Sequence, residues 1–341
     1  MWISKYPPRK TLNESTGKCS LPVSEWQLYS KNPIIFTGKT GDWDELSSSW
    51  GSIVLRNKNQ WLMYYSGRDA SKKLRIGVAF SEDGLNWRKH GNNPIVSCGA
   101  SRSWDVDGVY CPIVWKNKEA WNMIYTGINS NQYQIGIAQS NDGIEWFKSR
   151  YNPVFCSPVR SDASRFGKPQ TEGWGLFFDD SGYYLLHNSV TKKPREIRVA
   201  HSQDLISWKS PSSTPLLASE GCDSDLGYMK YCAWPYKFLA HFLVFSAVSD
   251  KMYKKSAIGL WRIAGLLKSE KAEFLGYVVK QRPGWHEREV DTPFVINDQQ
   301  NERIRCYFGG RSPRNRWTEG VAFISCSLFE ANLNRNLRKS T

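Results

Sequence analysis

Carboxylate side chains recur in five short segments of the chain, and their spacing could support acid–base chemistry. The residues are Asp42, Asp44 and Glu45; Asp105 and Asp107; Asp162 and Glu172; Asp223 and Asp225; and Glu287, Glu289 and Asp291. Cleavage or transfer of a glycosidic bond needs one carboxyl group that protonates the leaving oxygen and another that acts as base or nucleophile. Aspartate also serves turns and helix caps, so each of these residues has a structural alternative.

Basic, aromatic and further acidic side chains in or near the same segments could bind a substrate. The candidate substrate-binding residues are Arg68, Arg311, Lys168, Trp104, Glu289 and Asp225. Guanidinium groups bind phosphate and carboxylate groups well, so the two arginines could hold an anionic substrate or form structural ion pairs. Trp104 has counterparts at Trp43 and Trp285, and this repetition favours packing over stacking against a sugar ring.

The sequence predicts no cofactor. It contains no zinc-type spacing of His and Cys, no phosphate-binding loop, no Gly-x-Ser-x-Gly sequence and no dinucleotide-binding motif. The eight cysteines show no CxxC spacing, and we expect them to be reduced thiols. We therefore expect neither a metal ion nor an organic cofactor.

A repeated unit of roughly 60 residues positions these side chains. Its clearest part is an Asp-Gly turn followed by a Trp and an Asn-Pro, as in Asp83-Gly84, Trp87 and Asn93-Pro94, and again in Asp142-Gly143, Trp146 and Asn152-Pro153. A third copy keeps Asp204, Trp208 and Pro215. Because Asp-Gly between short apolar runs is typical of a β-hairpin, each unit should contain four antiparallel strands.

Such units, each leading into the next, are typical of the blades of a β-propeller. Second strands are predicted at 61–67, 121–127, 183–189, 241–247 and 303–309, which gives five blades. The last blade lacks a fourth strand, but Trp26 is followed six residues later by Asn32-Pro33, as in the other units. We predict that residues 25–29 complete this blade and close the ring, so that no sheet edge is left exposed.

The predicted fold class is therefore all-β, a five-bladed β-propeller with four-stranded antiparallel blades closed by an N-terminal strand. The whole chain, residues 1–341, would form one domain. Its blades are expected at about 44–92, 105–151, 166–213, 223–282 and 286–329.

The repeated SxDGxxW turns, the Asn-Pro closures and the Trp-Asp pairs resemble the five-bladed propeller glycosidase superfamily. This superfamily includes arabinanases and xylosidases, invertases and levansucrases, and mannoside phosphorylases. The resemblance extends over roughly residues 25–327 and is more specific for the fold than for any one reaction.

In the arabinanase-like pattern, the first strands of successive blades carry Asp-Pro, Asp-Pro and Glu-Gly as base, pKa modulator and general acid. Glu172-Gly173 matches the last pair, whereas Trp50-Gly51 and Cys111-Pro112 occupy the places of the Asp-Pro pairs. The resemblance thus implies Glu172 as the general acid, although it could instead pair with a lysine or arginine.

Nearby carboxylates could replace the two aspartates of that pattern. We hypothesise that Asp44 is the base or nucleophile and that Asp107 or Asp105 orients the substrate or tunes the acid. Residues two apart in a strand share a face, so Asp105, Asp107 and Cys111 could point the same way.

The formal net charge of +14 favours an anionic partner. Lys and Arg are scattered along the chain, so we expect a carbohydrate or sugar-phosphate substrate and no nucleic acid. The N-terminal residues lack the apolar stretch of a secretion signal, and no run of about 18 apolar residues occurs, so we expect a cytoplasmic protein without a membrane span. The oligomeric state is open.

The leading functional interpretation is a glycoside hydrolase that acts on an oligosaccharide or polysaccharide. A glycosyltransferase or phosphorylase that uses phosphorylated or nucleotide-linked sugars is the second interpretation. The third is a propeller that binds carbohydrate without catalysis.

Overall fold

The computed structural model describes residues 25–57, 59–117, 120–130, 132–157, 170–189, 195–212, 214–218, 226, 229–252, 254–267 and 272–337. These residues form β-strands and turns with a single long helix, which agrees with the predicted predominance of β structure. Lys168 and Asp225, two predicted substrate-binding residues, lie outside the described residues. Within these ranges, no helix has the length and apolar character needed to cross a lipid bilayer.

The first half of the chain contains two groups of four antiparallel strands. A short strand, β1 (Gln27–Leu28), precedes them. The first group is β2 (Ser47–Asn57), β3 (Gln60–Arg68), β4 (Leu74–Ser81) and β5 (Arg88–Lys89). The second group is β6 (Gly108–Lys116), β7 (Trp121–Asn129), β8 (Gln132–Ser140) and β9 (Phe147–Lys148).

Three further groups follow. They are β10 (Thr171–Asp179), β11 (Gly182–Ser189) and β12 (Arg198–Ser202); then β13 (Met229–Phe238), β14 (His241–Ser249), β15 (Ser256–Ile263) and β16 (Glu273–Lys280); then β17 (Glu289–Asp298), β18 (Arg303–Arg311) and β19 (Trp317–Ser325). The second strand of each group covers the range predicted from the sequence. Neighbouring first strands contact one another, β2 with β6, β6 with β10, β10 with β13, β13 with β17, and β17 with β2.

The repeated Asp turns fold as the sequence predicts. Asp83 Oδ1 and Asp142 Oδ1 each accept hydrogen bonds from the backbone N–H groups two and three residues later. In the third copy, the N–H groups of Ser207 and Ile206 lower the pKa of Asp204 to about 2. Leu205 adopts a φ of 66° where the other copies have glycine, so the turn conformation is retained after the glycine is lost.

The Asn residues of the Asn-Pro pairs make matching hydrogen bonds. Asn93 bonds both backbone groups of Val78 on β4, and Asn152 bonds those of Ile137 on β8. Asn32 bonds both backbone groups of Val321 on β19 in the same way. Strand β1 also pairs with β19, so the N-terminal segment packs on the last strand group as β5 packs on β4.

A β-bulge interrupts each first strand at a similar level. The pairing register with the second strand shifts after Ser49, Tyr110, Gly173, Tyr231 and Asp291. In four of the strands the next residue has a positive φ, namely 57° at Trp50, 52° at Cys111, 51° at Cys232 and 49° at Thr292. Bulges redirect side chains and are common beside active sites, and such backbone conformations each cost roughly 1–3 kcal/mol.

The C-terminal segment corrects the all-β prediction. The last blade was expected to extend to about residue 329, but its third strand β19 ends at Ser325 and an α-helix, α1 (Cys326–Leu337), follows. Phe329 and Leu333 are four residues apart and fully buried, so they share one helix face. The Phe329 ring contacts the rings of Trp26 and Phe238, and these apolar contacts hold the helix against the rest of the fold.

Candidate functional site

The bulged first strands bring acidic, aromatic and basic side chains into one buried cluster. The central cluster consists of Tyr110, Glu172, Arg195, Tyr231, Glu289 and Asp291, which come from β6, β10, β13, β17 and the segment before β12. Two of these residues, Glu172 and Glu289, were predicted as site residues. The cluster is the candidate active site.

Glu172 is the best-defined carboxylate of the cluster. Tyr110 donates a hydrogen bond of 2.5 Å to Glu172 Oε1. The buried Oε2 atom accepts no hydrogen bond from the described residues, and Arg195 Nη1 lies 3.9 Å away. One carboxylate oxygen is thus fixed by the protein, while the other has an unused hydrogen-bonding site.

Glu289 has a related environment. Tyr231 donates a hydrogen bond of 3.0 Å to Glu289 Oε1, and Arg311 Nε lies 3.5 Å from Oε2. Burial raises the pKa of Glu289, although the positive charges of Arg311 and Arg195 oppose this rise. Burial, together with the negative charge of Glu289, also raises the pKa of Asp291 well above its ordinary value.

Arg195 connects the two glutamates. Its guanidinium lies near Glu172, packs 5.8 Å from the centre of the Tyr231 ring and acts electrostatically on Glu289. Glu172 and Glu289 therefore face the same cation. A pair of carboxyl groups in different environments can supply the acid and base of glycoside chemistry.

Arg68 and Arg311 occupy matching positions beside the cluster. Arg68 on β3 pairs with Ser47, Ser47 pairs with Trp317 on β19, and Trp317 pairs with Arg311 on β18, so the two arginines share one level of the sheet. Burial and the positive charge of Arg311 lower the pKa of Arg68. The buried Arg68 Nε makes no hydrogen bond to the described part of the chain. A half-buried guanidinium beside a like charge favours an anionic ligand.

Two cysteines lie at equivalent bulges beside the cluster. Cys111 occupies the place of an Asp in the family pattern, and Cys232 is its counterpart on β13. Burial raises the pKa of Cys111 and of Cys232 well above the ordinary value, so both are neutral thiols. The charges of Glu172 and Asp291 act on both thiols in the same direction. The thiols therefore line the cluster without supplying a nucleophile or base.

Asp44 and Asp105 have equivalent contacts that explain their burial without a substrate. Asp44 Oδ2 lies 2.5 Å from Lys89 Nζ, and Asp105 Oδ2 lies 2.6 Å from Lys148 Nζ. Hydrogen bonds join Tyr65 to Asp44 and connect Tyr125 to Asp105 in the same way. Neither aspartate makes a hydrogen bond or ion pair with a residue of the central cluster, and a catalytic role for either one stays a prediction.

The contacts of Asp107 and Trp104 likewise involve residues outside the central cluster. Asp107 is exposed and accepts a 2.7 Å hydrogen bond from the backbone N–H of Ser130. The Trp104 ring packs under Gly127 and Gly136, where a Cβ atom would come within 2.2 and 2.6 Å of it. The two glycines therefore make room for the Trp104 ring, and stacking of this ring on a sugar stays a prediction.

The sequence analysis missed Tyr110, Tyr231 and Arg195. The two tyrosines each precede a cysteine at a bulge, and this repeated Tyr-Cys pair was a signal that could have identified them. Arg195 has no repeated counterpart, so only the fold places it beside the glutamates.

Comparison with known proteins identifies a family and several similar chains. The model of glycoside hydrolase family 130, described as beta-1,4-mannooligosaccharide phosphorylase, matches residues 51–225. Two uncharacterized Mycobacterium tuberculosis proteins, MT1551 and Rv1502, are each 28% identical to the chain over 188 residues. This match covers 52% of the chain and 59% of each relative, so the chain spans less than two thirds of their length.

Solved structures share the fold. A protein titled "Glycoside hydrolase" has a TM-score of 0.71 at 15% identity and covers 88% of this chain and 93% of its own. A structure reported under "The GH130 family of mannoside phosphorylases contains glycoside hydrolases that target beta-1,2 mannosidic linkages in Candida mannan" has a TM-score of 0.64 at 14% identity, with the same coverage. These matches confirm the resemblance to the propeller glycosidase superfamily, and the chain belongs to glycoside hydrolase family 130.

Proposed function

We propose that the chain is a glycoside-active enzyme that cleaves mannosides by phosphorolysis in the central cluster. The observation that carries this proposal is the Arg68 guanidinium, which is half-buried beside Arg311 and whose Nε has no hydrogen-bond acceptor among the described residues. Inorganic phosphate fits two such guanidinium groups because it carries charge and several acceptor oxygens. The family description supports mannooligosaccharides as the substrate class.

The proposed architecture is a single five-bladed propeller in which the five strand groups surround the central cluster. The cyclic contacts of the first strands and the pairing of β1 with β19 support closure by the N-terminal strand. In this arrangement Glu172 would lie across the ring from Arg68 and Arg311, because it belongs to the third group and the two arginines belong to the first and last groups.

If Glu172 and the phosphate held by the two arginines lie on opposite sides of the bound sugar, phosphate can displace the leaving sugar directly at the anomeric carbon. A phosphate oxygen held by Arg68 and Arg311 would attack this carbon while the bond to the leaving sugar oxygen breaks. Glu172 would give its proton to that oxygen. The products are a sugar 1-phosphate and an oligosaccharide shortened by one residue, so atoms and charge balance. The raised pKa of Glu289 limits repulsion between this neighbouring carboxyl group and the phosphate.

Hydrolysis is the second candidate, and the Glu289 carboxyl group specifically favours it. A phosphorylase needs only a proton donor because phosphate is the nucleophile, whereas a hydrolase also needs a base that activates water. Glu289 shares Arg195 with Glu172 and could be that base.

Phosphate dependence of turnover separates these functions. Purified protein would be incubated with β-1,4-mannooligosaccharides with and without inorganic phosphate, and products would be separated by chromatography. Phosphorolysis predicts turnover only with phosphate, a large rise in the KM for phosphate in Arg68→Gln, and loss of turnover in Glu172→Gln. The exposed Arg88→Gln variant is the matched control for lost positive charge. Equal turnover without phosphate would indicate hydrolysis, and sugar binding without turnover would indicate a binding protein.

A further inference from the structure

Two buried tyrosines hold the two glutamates of the central cluster in the same manner. Tyr110 lies immediately before the left-handed Cys111, and Tyr231 lies immediately before the left-handed Cys232. Each hydroxyl donates to a glutamate on the next first strand along the chain, Tyr110 to Glu172 and Tyr231 to Glu289.

The atoms involved are the same in both pairs. Each tyrosine donates to Oε1 of its glutamate, while Oε2 faces a guanidinium, 3.9 Å away for Glu172 and 3.5 Å away for Glu289. Burial raises the pKa of both tyrosines well above the ordinary value, so each hydroxyl keeps its proton and remains a donor. A carbonyl oxygen accepts such a bond better than a hydroxyl oxygen does, so donation to Oε1 favours the carboxyl proton on Oε2.

We infer that Tyr110 and Tyr231 are positioning residues that reserve Oε1 of each glutamate for the protein and leave Oε2 of each for substrate. For Glu172, this places the transferred proton on Oε2, the buried oxygen that accepts no hydrogen bond from the described residues. For Glu289, it keeps Oε2 in a 3.5 Å ion pair with Arg311 Nε that is not a hydrogen bond, so this N–H group can donate to phosphate. This inference rests on the proposed function.

The two tyrosines should therefore affect different kinetic constants. Without the Tyr110 hydroxyl, Glu172 can rotate, and its protonated oxygen is no longer fixed toward the leaving group. Without the Tyr231 hydroxyl, Glu289 can move onto Arg311 and compete with phosphate for that guanidinium.

The experiment measures phosphorolysis by Tyr110→Phe and Tyr231→Phe as a function of pH and phosphate concentration. Tyr110→Phe should lower kcat about 10- to 100-fold with little change in either KM. It should also move the alkaline limb of the kcat profile to higher pH, because a hydrogen bond that favoured the carboxylate is gone. Tyr231→Phe should instead raise the KM for phosphate with a smaller change in kcat.

Tyr65→Phe is the matched control, because Tyr65 donates a 3.2 Å hydrogen bond to Asp44 outside the central cluster. It should reduce thermal stability and leave the pH profile unchanged. In the Glu172→Gln background, Tyr110→Phe should cause no further loss of the residual rate.

If both cluster variants only lower stability, as the control does, the tyrosines are structural and the inference is wrong. An additive loss in the double variant would also contradict it. Phosphate-dependent turnover by the wild type tests the proposed function separately, so a failure of that function is distinguishable from a failure of the inference.

Discussion

Replacement of Glu319 by glutamine should change how the stability of this protein depends on pH. Glu319 is buried where β19 meets β2, and its Oε2 atom accepts a 2.9 Å hydrogen bond from Ser49. Burial raises its pKa from 4.5 to about 8. The folded state therefore binds this proton more tightly than the unfolded state does.

The sign and size of the effect follow from this difference. The contribution of Glu319 is complete below about pH 4.5 and is lost as pH rises toward 8, because ionisation would bury an unpaired charge. Each pH unit in this window changes the free energy of unfolding by about 1.4 kcal/mol, so the loss between pH 5 and pH 8 is about 4 kcal/mol. Water entry and local relaxation make this value an upper limit.

Urea unfolding of the wild type and Glu319→Gln at pH 5 to 9 measures this effect. The variant should lack this pH-dependent loss, so its stability relative to the wild type should improve by up to about 4 kcal/mol as pH rises from 5 to 8. The charge of Glu319 also raises the pKa of Asp291, so the difference between the two proteins reports Glu319 together with its coupling to Asp291. The exposed Glu82→Gln is the control and should follow the wild type. Parallel curves for the wild type and Glu319→Gln would refute the buried, protonated state of Glu319.

Two further predictions test the structural roles of charged residues. Asp44→Asn should weaken the contact with Lys89 and lower the free energy of unfolding, measured in urea, by about 1–3 kcal/mol. Its turnover, measured in a kinetic assay, should change less than about threefold. A large loss of turnover with normal stability would instead support Asp44 as a catalytic residue. Arg305→Met should remove the 2.6 Å ion pair with the buried Asp298 carboxylate, which keeps its 3.1 Å pair with Arg303, and should cost about 1–3 kcal/mol in urea unfolding. A cost below about 0.5 kcal/mol would contradict this role.

The repeated turns explain why much of the fold could be predicted. Asp83 and Asp142 satisfy nearby backbone N–H groups through their own side chains, so local sequence alone specifies these turns. Asn32 shows the same principle over 289 residues of chain separation, because its hydrogen bonds to Val321 repeat those of the internal copies. The helix α1 was missed because burial of Phe329 against Trp26 depends on packing between the two ends of the chain.

The candidate site was only partly predictable. Glu172 was chosen because its Glu-Gly pair matched a family pattern, and its catalytic role stays a prediction. The chemical roles proposed for Asp44 and Asp105 stay predictions as well, and they were made without considering the lysine partners of these residues. Those lysines stand two residues after the repeated Trp87 and Trp146, so the signal was present in the repeat. Arg195 comes from a segment without a repeated motif, and its position beside Glu172 depends on tertiary structure.

The central proposal is that phosphate attacks a mannoside while Glu172 donates the proton. Phosphorus-31 NMR of the wild type with β-1,4-mannooligosaccharide and inorganic phosphate tests it most directly. We predict a growing sugar 1-phosphate signal with the wild type and a signal that grows at least about 100-fold more slowly with Glu172→Gln under the same conditions. Release of free mannose by the wild type with no sugar 1-phosphate, or an undiminished signal from Glu172→Gln, would contradict the proposal.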